Sequence, residues 1–286
     1  MLLYRSYNPN STETLYHYCS AETLNAICSG KKIRFCDIFS MNDFMEMHWG
    51  YQVWEQAATE LIPELGKEFI DEIDILLHSS GAIALPLASC FSKHGDTLSQ
   101  WRAYGNDGTG YSIGFNAELL TKLAVRPLKV LYNKPEQIKE LKAIIKAIHE
   151  IEESEGNTRD NDFVEAVTRL AFDLAAFKNP AFSEENEIRL IHLVNFEPSN
   201  QSLRIFDAGG TSHGKPFPAQ PINFFMRDSV PVPYIDIDFT DTGNINPIEE
   251  IILGPKNNAL PSAVSIYLET LGIPNVKVKR STASYR

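Results

Sequence analysis

Residues 82–92, AIALPLASCFS, constrain the fold of this chain more than any other stretch. The run is apolar and of strand length, bounded by Gly81 before it and by the polar Lys93-His94-Gly95-Asp96 after it, and it reads as a buried strand in spite of Pro86. A buried strand needs a sheet around it, and the flanking sequence supplies further elements. Residues 15–19 (LYHYC) are aromatic-rich and read as a strand. Ser20 then caps a helix whose apolar Leu24 and Ile27 stand at helical spacing and which stops at Gly30. Residues 32–36 (KIRFC) alternate as a second strand, and a polar loop at residues 39–43 leads into helical periodicity over residues 44–79, broken at Pro63.

Beyond the buried run, residues 101–104 form a turn or short helix, and the loop Gly105-Asn106-Asp107-Gly108 leads to an alternating strand at residues 111–115, expected to make the chain's central hairpin. Two amphipathic helices follow at residues 134–155 and 160–177, the first with Leu141, Ile144, Ile145 and Ile148 on one face. Further strands are expected at residues 201–206, 222–226, 234–239, 251–254 and 276–280, with a helix at 260–271. At 286 residues the chain fits one large α+β domain, residues 1–286, built on mixed or antiparallel sheets with a helical insertion at residues 134–177.

Charge narrows the partners. A formal charge of −11 argues against a surface for duplex nucleic acid, because phosphate contacts draw on clustered Lys and Arg. The longest basic run, Lys277-Val278-Lys279-Arg280, alternates and reads as a solvated strand, with a local anion site as the other reading. The four cysteines, Cys19, Cys28, Cys36 and Cys90, form no C-x-x-C pair and flank no His at zinc spacing, so they read as reduced, partly buried thiols and no metal is expected. No signal-peptide pattern and no long apolar window is found, from which a cytoplasmic address away from membranes is expected.

Four segments carry candidate chemistry. His17 lies between Tyr16 and Tyr18 in an aromatic strand, where a packed histidine is the structural alternative to a functional one. In Asn42-Asp43-Phe44-Met45-Glu46, Asp43 and Glu46 have the spacing of a capping box. Cys90-Phe91-Ser92, with Ser99, Trp101, Arg102 and Tyr104 close behind, ends the buried strand in polar and aromatic residues that either pack or wall a flat ring. Glu184, Glu185 and Glu187 with Arg189 are the most charged segment. An extended chain puts Glu185, Glu187 and Arg189 on one face, either as an exposed edge ladder or as a half-buried carboxylate beside a guanidinium.

The ordered set Y-H-Y-C-S, K-I-R-F with N-D-F-M-E, C-F-S with W-R-A-Y-G and G-Y-S-I-G-F, E-N-E-I-R, I-I-L-G-P and a terminal S-x-x-S-Y-R resembles a bacterial family of unknown function, number 2971 among such domains, from Leu15 to Arg286. Cys19 stands where that family tends to have Thr, and Phe182 where Trp or Tyr is common. More distantly, the layout is similar to the ADP-ribosyltransferase fold, which implies a split-sheet core and NAD as substrate. On that likeness His17 matches the histidine that bonds the adenosine-side ribose, and Cys90-Phe91-Ser92 matches a Y-F-A strand, Cys90 departing from its Tyr. Ser99 matches the serine that holds the nicotinamide amide, Trp101 or Tyr104 the ring that stacks on nicotinamide, and Glu187 or Glu185 the catalytic glutamate. Arg34, Arg102 or Arg189 is expected beside the cleft, since an acidic chain needs a local cation to accept a pyrophosphate.

The resemblance implies an ADP-ribosyltransferase-like enzyme or NAD glycohydrolase, acting on an unspecified macromolecule or water, in the setting of a bacterial toxin or phage-defence effector. A fixed carboxylate near the ribose would stabilise the oxocarbenium charge that develops as nicotinamide leaves. Rossmann and P-loop glycine motifs are absent. Two other readings stay open: a divalent-metal phosphodiesterase using Asp43, Glu46, Glu185 and Glu187, and a binding module in which the same residues are caps and ladder charges.

Overall fold

The structure is a computed structural model that describes residues 5–40, 46–81, 83–197, 204–240 and 246–285, with the side chains of Glu46 and Met47 left out. The Asn42-Asp43-Phe44-Met45-Glu46 reading and residues 201–203 of an expected strand therefore lie outside the described residues.

Strand β1 (Thr14–Cys19) leads into α1 (Ala21–Gly30), whose first turn is capped as expected, the Ser20 hydroxyl accepting from the Thr23 amide. The left-handed residue that ends the helix is Lys31 (φ 51°) rather than Gly30, and β2 (Lys32–Asp37) starts directly after it. Helix α2 (Glu46–Leu65) contains Pro63 in its last turns without breaking there. The break comes at Gly66, whose φ of 86° only glycine adopts cheaply, and α3 (Lys67–Ser80) follows. The apolar run forms β3 (Ala84–Ser92), and α4 (Leu98–Ala103) closes the loop after it.

Next come β4 (Tyr111–Asn116), α5 (Ala117–Thr121), β5 (Arg126–Lys129), α6 (Lys134–Ser154) and α7 (Asn161–Asp173). Short 3-10 segments at Leu174–Ala176 and Pro180–Glu185 precede the long β6 (Glu187–Glu197). The chain ends through β7 (Arg204–Phe206), β8 (Gly210–Ser212), β9 (Lys215–Phe217), β10 (Asn223–Arg227), β11 (Val230–Asp238), β12 (Ile248–Leu253), α8 (Pro261–Thr270) and β13 (Lys277–Arg280).

One large mixed sheet runs β10-β11-β2-β3-β1-β4-β12-β13, antiparallel throughout except for the parallel β12–β13 pair, while β6 pairs with β3, β5 and β7. The expected β3–β4 hairpin does not form, because β1 pairs with β4 along its whole length and separates it from β3. Gly110 lets β4 start close against β1: a Cβ there would stand 2.1 Å from the Cys19 carbonyl oxygen.

The register around β3 positions the cleft. Strand β6 pairs with β3 from Ala84 to Ser92 and so fills one edge. The other edge is shared: β2 pairs only at Asp37↔Leu87 and Cys36↔Ala88, and β1 only at Tyr16↔Ser92. Between them, over residues 89–91, that edge has no strand partner among the described residues, and the sheet forks.

One face of the sheet packs on α1 and α8 through Leu24, Ile27, Phe35, Leu87, Phe115, Ile251 and Leu268. A second core joins α2 and α3 to α6 and α7 through Trp54, Leu61, Ile73, Leu141, Ile145, Val167 and Phe177. The helical block expected at residues 134–177 thus draws half of its layer from residues 46–80. Each buried large aliphatic side chain contributes about 1.5–3 kcal/mol. Ile38, Ala88, Ala175, Ala176 and Ile191 tie this layer to the sheet beside the fork.

Candidate functional site

A cavity of ≈ 490 Å³ opens at the fork, within the size range of small-molecule sites. Directly opposed and alternating residues put Tyr16, Cys36, Cys90, Ser92, Glu187 and Arg189 on one face of the sheet. His17 and Phe91 belong to the other face, with ring centroids 5.6 Å apart, yet His17 still lines the cavity because the missing ladder exposes it. Its Nδ1 stands 3.0 Å from the Cys90 carbonyl oxygen, taking the place of a strand partner at the fork. A carbonyl only accepts, so Nδ1 carries the proton and Nε2 is left as an acceptor. Burial lowers the His17 pKa, against the opposing pull of that hydrogen bond, which keeps the ring neutral near pH 7.

The floor is an ion network. Glu187 accepts from Arg189 at both oxygens (2.7 and 3.1 Å), and Lys178 Nζ lies 3.3 Å from Oε2. Burial opposes its charge but is outweighed by the Arg189 and Lys178 charges and by hydrogen bonds from Arg189 and the Cys90 thiol, so the pKa falls to about 2. Its backbone N–H donates to the Tyr132 hydroxyl at 3.1 Å. Glu185 accepts from Lys178 at 2.5 Å and from the Tyr104 hydroxyl at 2.9 Å. For Glu185 burial prevails and its pKa is raised, with Lys178 opposing. Burial, then the Glu185 charge, raises Tyr104 in turn.

At the mouth, Arg34 is bound to Asp236 (2.9 and 3.1 Å) and lies 3.7 Å from the centroid of the Tyr234 ring. Arg227 donates to the Ser40 carbonyl. Tyr16 and Tyr18 offer their rings only, since their hydroxyls are committed to Glu250 (2.7 Å) and to the His94 carbonyl (2.8 Å). The lining carries four cationic side chains, Arg34, Lys178, Arg189 and Arg227, against the two carboxylates Glu185 and Glu187 and the Asp236 that pairs with Arg34, one more cation than anion. Within a chain of net charge −11 this is a local reversal of sign that suits an anionic ligand.

Of the residues singled out in the sequence, His17, Arg34, Phe91, Ser92, Tyr104, Glu185, Glu187 and Arg189 line this cavity. Ser99, Trp101 and Arg102 do not. Trp101 is fully buried, its indole N–H donates to Asp96 at 2.8 Å, and it packs edge-on against Tyr18, so it supports the wall from behind and cannot stack on a ligand. Arg102 is exposed and lies 5.7 Å from the Tyr285 ring. The Glu187–Arg189 segment is not an exposed edge ladder, being held between β3 and β5. Glu185 lies outside the strand, since Asn186 (φ 44°) turns the chain between the two glutamates.

Lys178, Arg227 and Gln100 were not anticipated. A lone lysine after the apolar residues 174–177 was the one available signal for Lys178. Arg227 and Gln100 carried none. The carboxylate cluster of the metal reading is met by Lys178 and Arg189 at Glu185 and Glu187, while Asp43 lies outside the described residues. Among the described residues no group of three or more His, Cys, Asp or Glu stands together to hold a metal ion, and no helix is long and apolar enough to cross a membrane.

No curated protein and no solved structure matches the chain. The expected likeness to the ADP-ribosyltransferase fold finds no support in these comparisons. Residues 100–190 match the profile of a family described as protein of unknown function (DUF2971), a narrower span than the sequence motifs cover but one that holds Gln100, Tyr104, Lys178, Glu185, Glu187 and Arg189 of the cavity lining.

Proposed function

We propose that the fork cleft binds NAD and breaks its bond between nicotinamide and ribose, passing ADP-ribose to water or to an acceptor. The observation that carries this reading is the meeting, in one cavity, of His17, Tyr104 and the Glu185/Glu187 pair from segments far apart in sequence, under a net cationic lining. Arg34 and Arg227 at the mouth are suited to the pyrophosphate. The His17 Nε2 acceptor is suited to a ribose hydroxyl.

The two glutamates divide the work. Glu187 is held charged by Arg189 and Lys178 and keeps Lys178 in place beside Glu185. Glu185 is the carboxylate whose pKa is raised and whose tyrosine partner, Tyr104, is partly exposed, so it is the one that faces the reacting sugar and takes a proton. The glycosidic C–N bond breaks and its electron pair leaves with nicotinamide. A C–O bond forms from water or an acceptor hydroxyl, whose proton passes to Glu185.

Nicotinamide release from NAD by the purified chain, compared with Glu185→Gln, is the test. A loss of about 10²–10⁴-fold in the variant is expected for a removed general base. Full activity in Glu185→Gln would move the role elsewhere, and the absence of both release and transfer in the wild type would end the reading.

A further inference from the structure

Two polar side chains in the cavity wall have no hydrogen-bond partner among the described residues. Gln100, on α4, is 5% exposed and lines the cavity; its carboxamide makes no hydrogen bond among the described residues and is open to the cavity rather than sealed in the core. Ser89, in the open stretch of β3 at the fork, is 3% exposed and lines the same cavity, and its Oγ is likewise without a partner. Nearly all buried polar groups are paired, and an unpaired one is a standing cost that native proteins keep at few places.

Both groups are neutral, and each both donates and accepts. The charged groups deeper in the cavity are already matched: Glu187 with Arg189, and Glu185 with Lys178. The wall also presents the Tyr16 and Tyr18 rings, whose hydroxyls are committed elsewhere.

From these observations we infer that Gln100 and Ser89 form a specificity subsite for the neutral, hydrogen-bonding edge of a planar ring, one that offers both a donor and an acceptor. That chemistry comes from two sources, a nucleobase edge or a ring carboxamide. The inference deepens the NAD reading and rests on it for the choice of probes, since NAD carries one of each.

The experiment measures binding by calorimetry to the full chain and to Gln100→Leu and Ser89→Ala. The probes are NAD, its nicotinic acid analogue, which lacks the carboxamide donor, its hypoxanthine analogue, which lacks the adenine amino group, and adenosine and nicotinamide alone. The wild type is expected to lose about tenfold or more in affinity for one analogue, and Gln100→Leu to lose as much for NAD and to stop discriminating. The analogue that is rejected names the edge. Ser89→Ala is also expected to melt no lower than the wild type without ligand, because it removes an unpaired buried polar group, and this separates the subsite from a structural role. Binding of adenosine or nicotinamide that depends on Gln100, without NAD turnover, would keep the subsite and end the NAD reading. NAD turnover with unchanged affinity and unchanged discrimination in both variants would do the reverse. Failure of the wild type to bind any probe would overturn the subsite.

Discussion

Replacing Glu187 by Gln tests whether the floor of the cleft is an ionised network. The carboxylate is 7% exposed and meets Arg189, 1% exposed, at two oxygens. Removing one charge of a buried pair strands the other, at about 3–5 kcal/mol. An independent route gives a similar size. A carboxyl whose pKa falls from 4.5 to about 2 on folding stabilises the native state by about 3 kcal/mol at neutral pH. Because the folded-state pKa is the lower one, this stability is complete above the unfolded value and disappears as pH falls toward about 2. Urea unfolding of wild type and Glu187→Gln at pH 7 and pH 3 should show a gap that shrinks from about 3 to about 1 kcal/mol. The double variant Glu187→Met with Arg189→Met should recover much of the loss, since an apolar pair replaces the ion pair without leaving a lone charge. A gap of the same size at both pH values, or a double variant no more stable than the single one, would refute the argument.

Two other expectations concern how the cleft is framed. His192 bridges the Ala124 carbonyl (2.7 Å) and Asp207 (2.8 Å), and Asp207 in turn accepts from the Gly209 and Gln220 amides. His192→Leu should cost about 1–3 kcal/mol and speed hydrogen exchange at Gly209 and Gln220, and unchanged exchange there would count against it. Asp96 accepts from Trp101, Ser281 and Thr282 and so fastens the C-terminal segment to α4. Asp96→Ala should expose residues 281–285 to proteolysis and reduce ligand binding through Gln100 and Tyr104, whereas an intact tail under protease would dismiss the tether.

Local pattern carried the elements, and it failed where the answer depended on a partner. The β3 run was legible because nine successive residues are nearly all buried, and α1 because Ser20 supplies its own cap. The hairpin was misread because alternation at residues 111–115 states that a strand exists and says nothing of its neighbour, which is β1. Extended alternation put Glu185 beside Glu187, but a left-handed Asn186 intervenes, and asparagine tolerates that conformation without a glycine's signature. Trp101 beside Arg102 and Tyr104 looked like one aromatic wall. Trp101 lies within α4 and went to the core, whereas Tyr104 is the residue after the helix end, with non-helical φ −123° and ψ −20°, and stayed near the surface.

The fork explains why a site forms here at all. A strand edge without a partner must satisfy its backbone by other means, and the His17 imidazole does so at Cys90, which fixes its tautomer and turns Nε2 outward from that bond. The same gap lets the cavity reach both faces of the sheet, so a neutral wall from one segment and a charged floor from another meet without crossing a covered strand. The floor could not remain charged in such a place without mutual pairing, and the Lys178 link binds Glu185 and Glu187 into a single unit. A substitution at Glu187 should therefore act on the chemistry through Lys178 and Glu185, changing the pH profile of turnover, whereas one at Gln100 should change which ligand is preferred and leave that profile where it was.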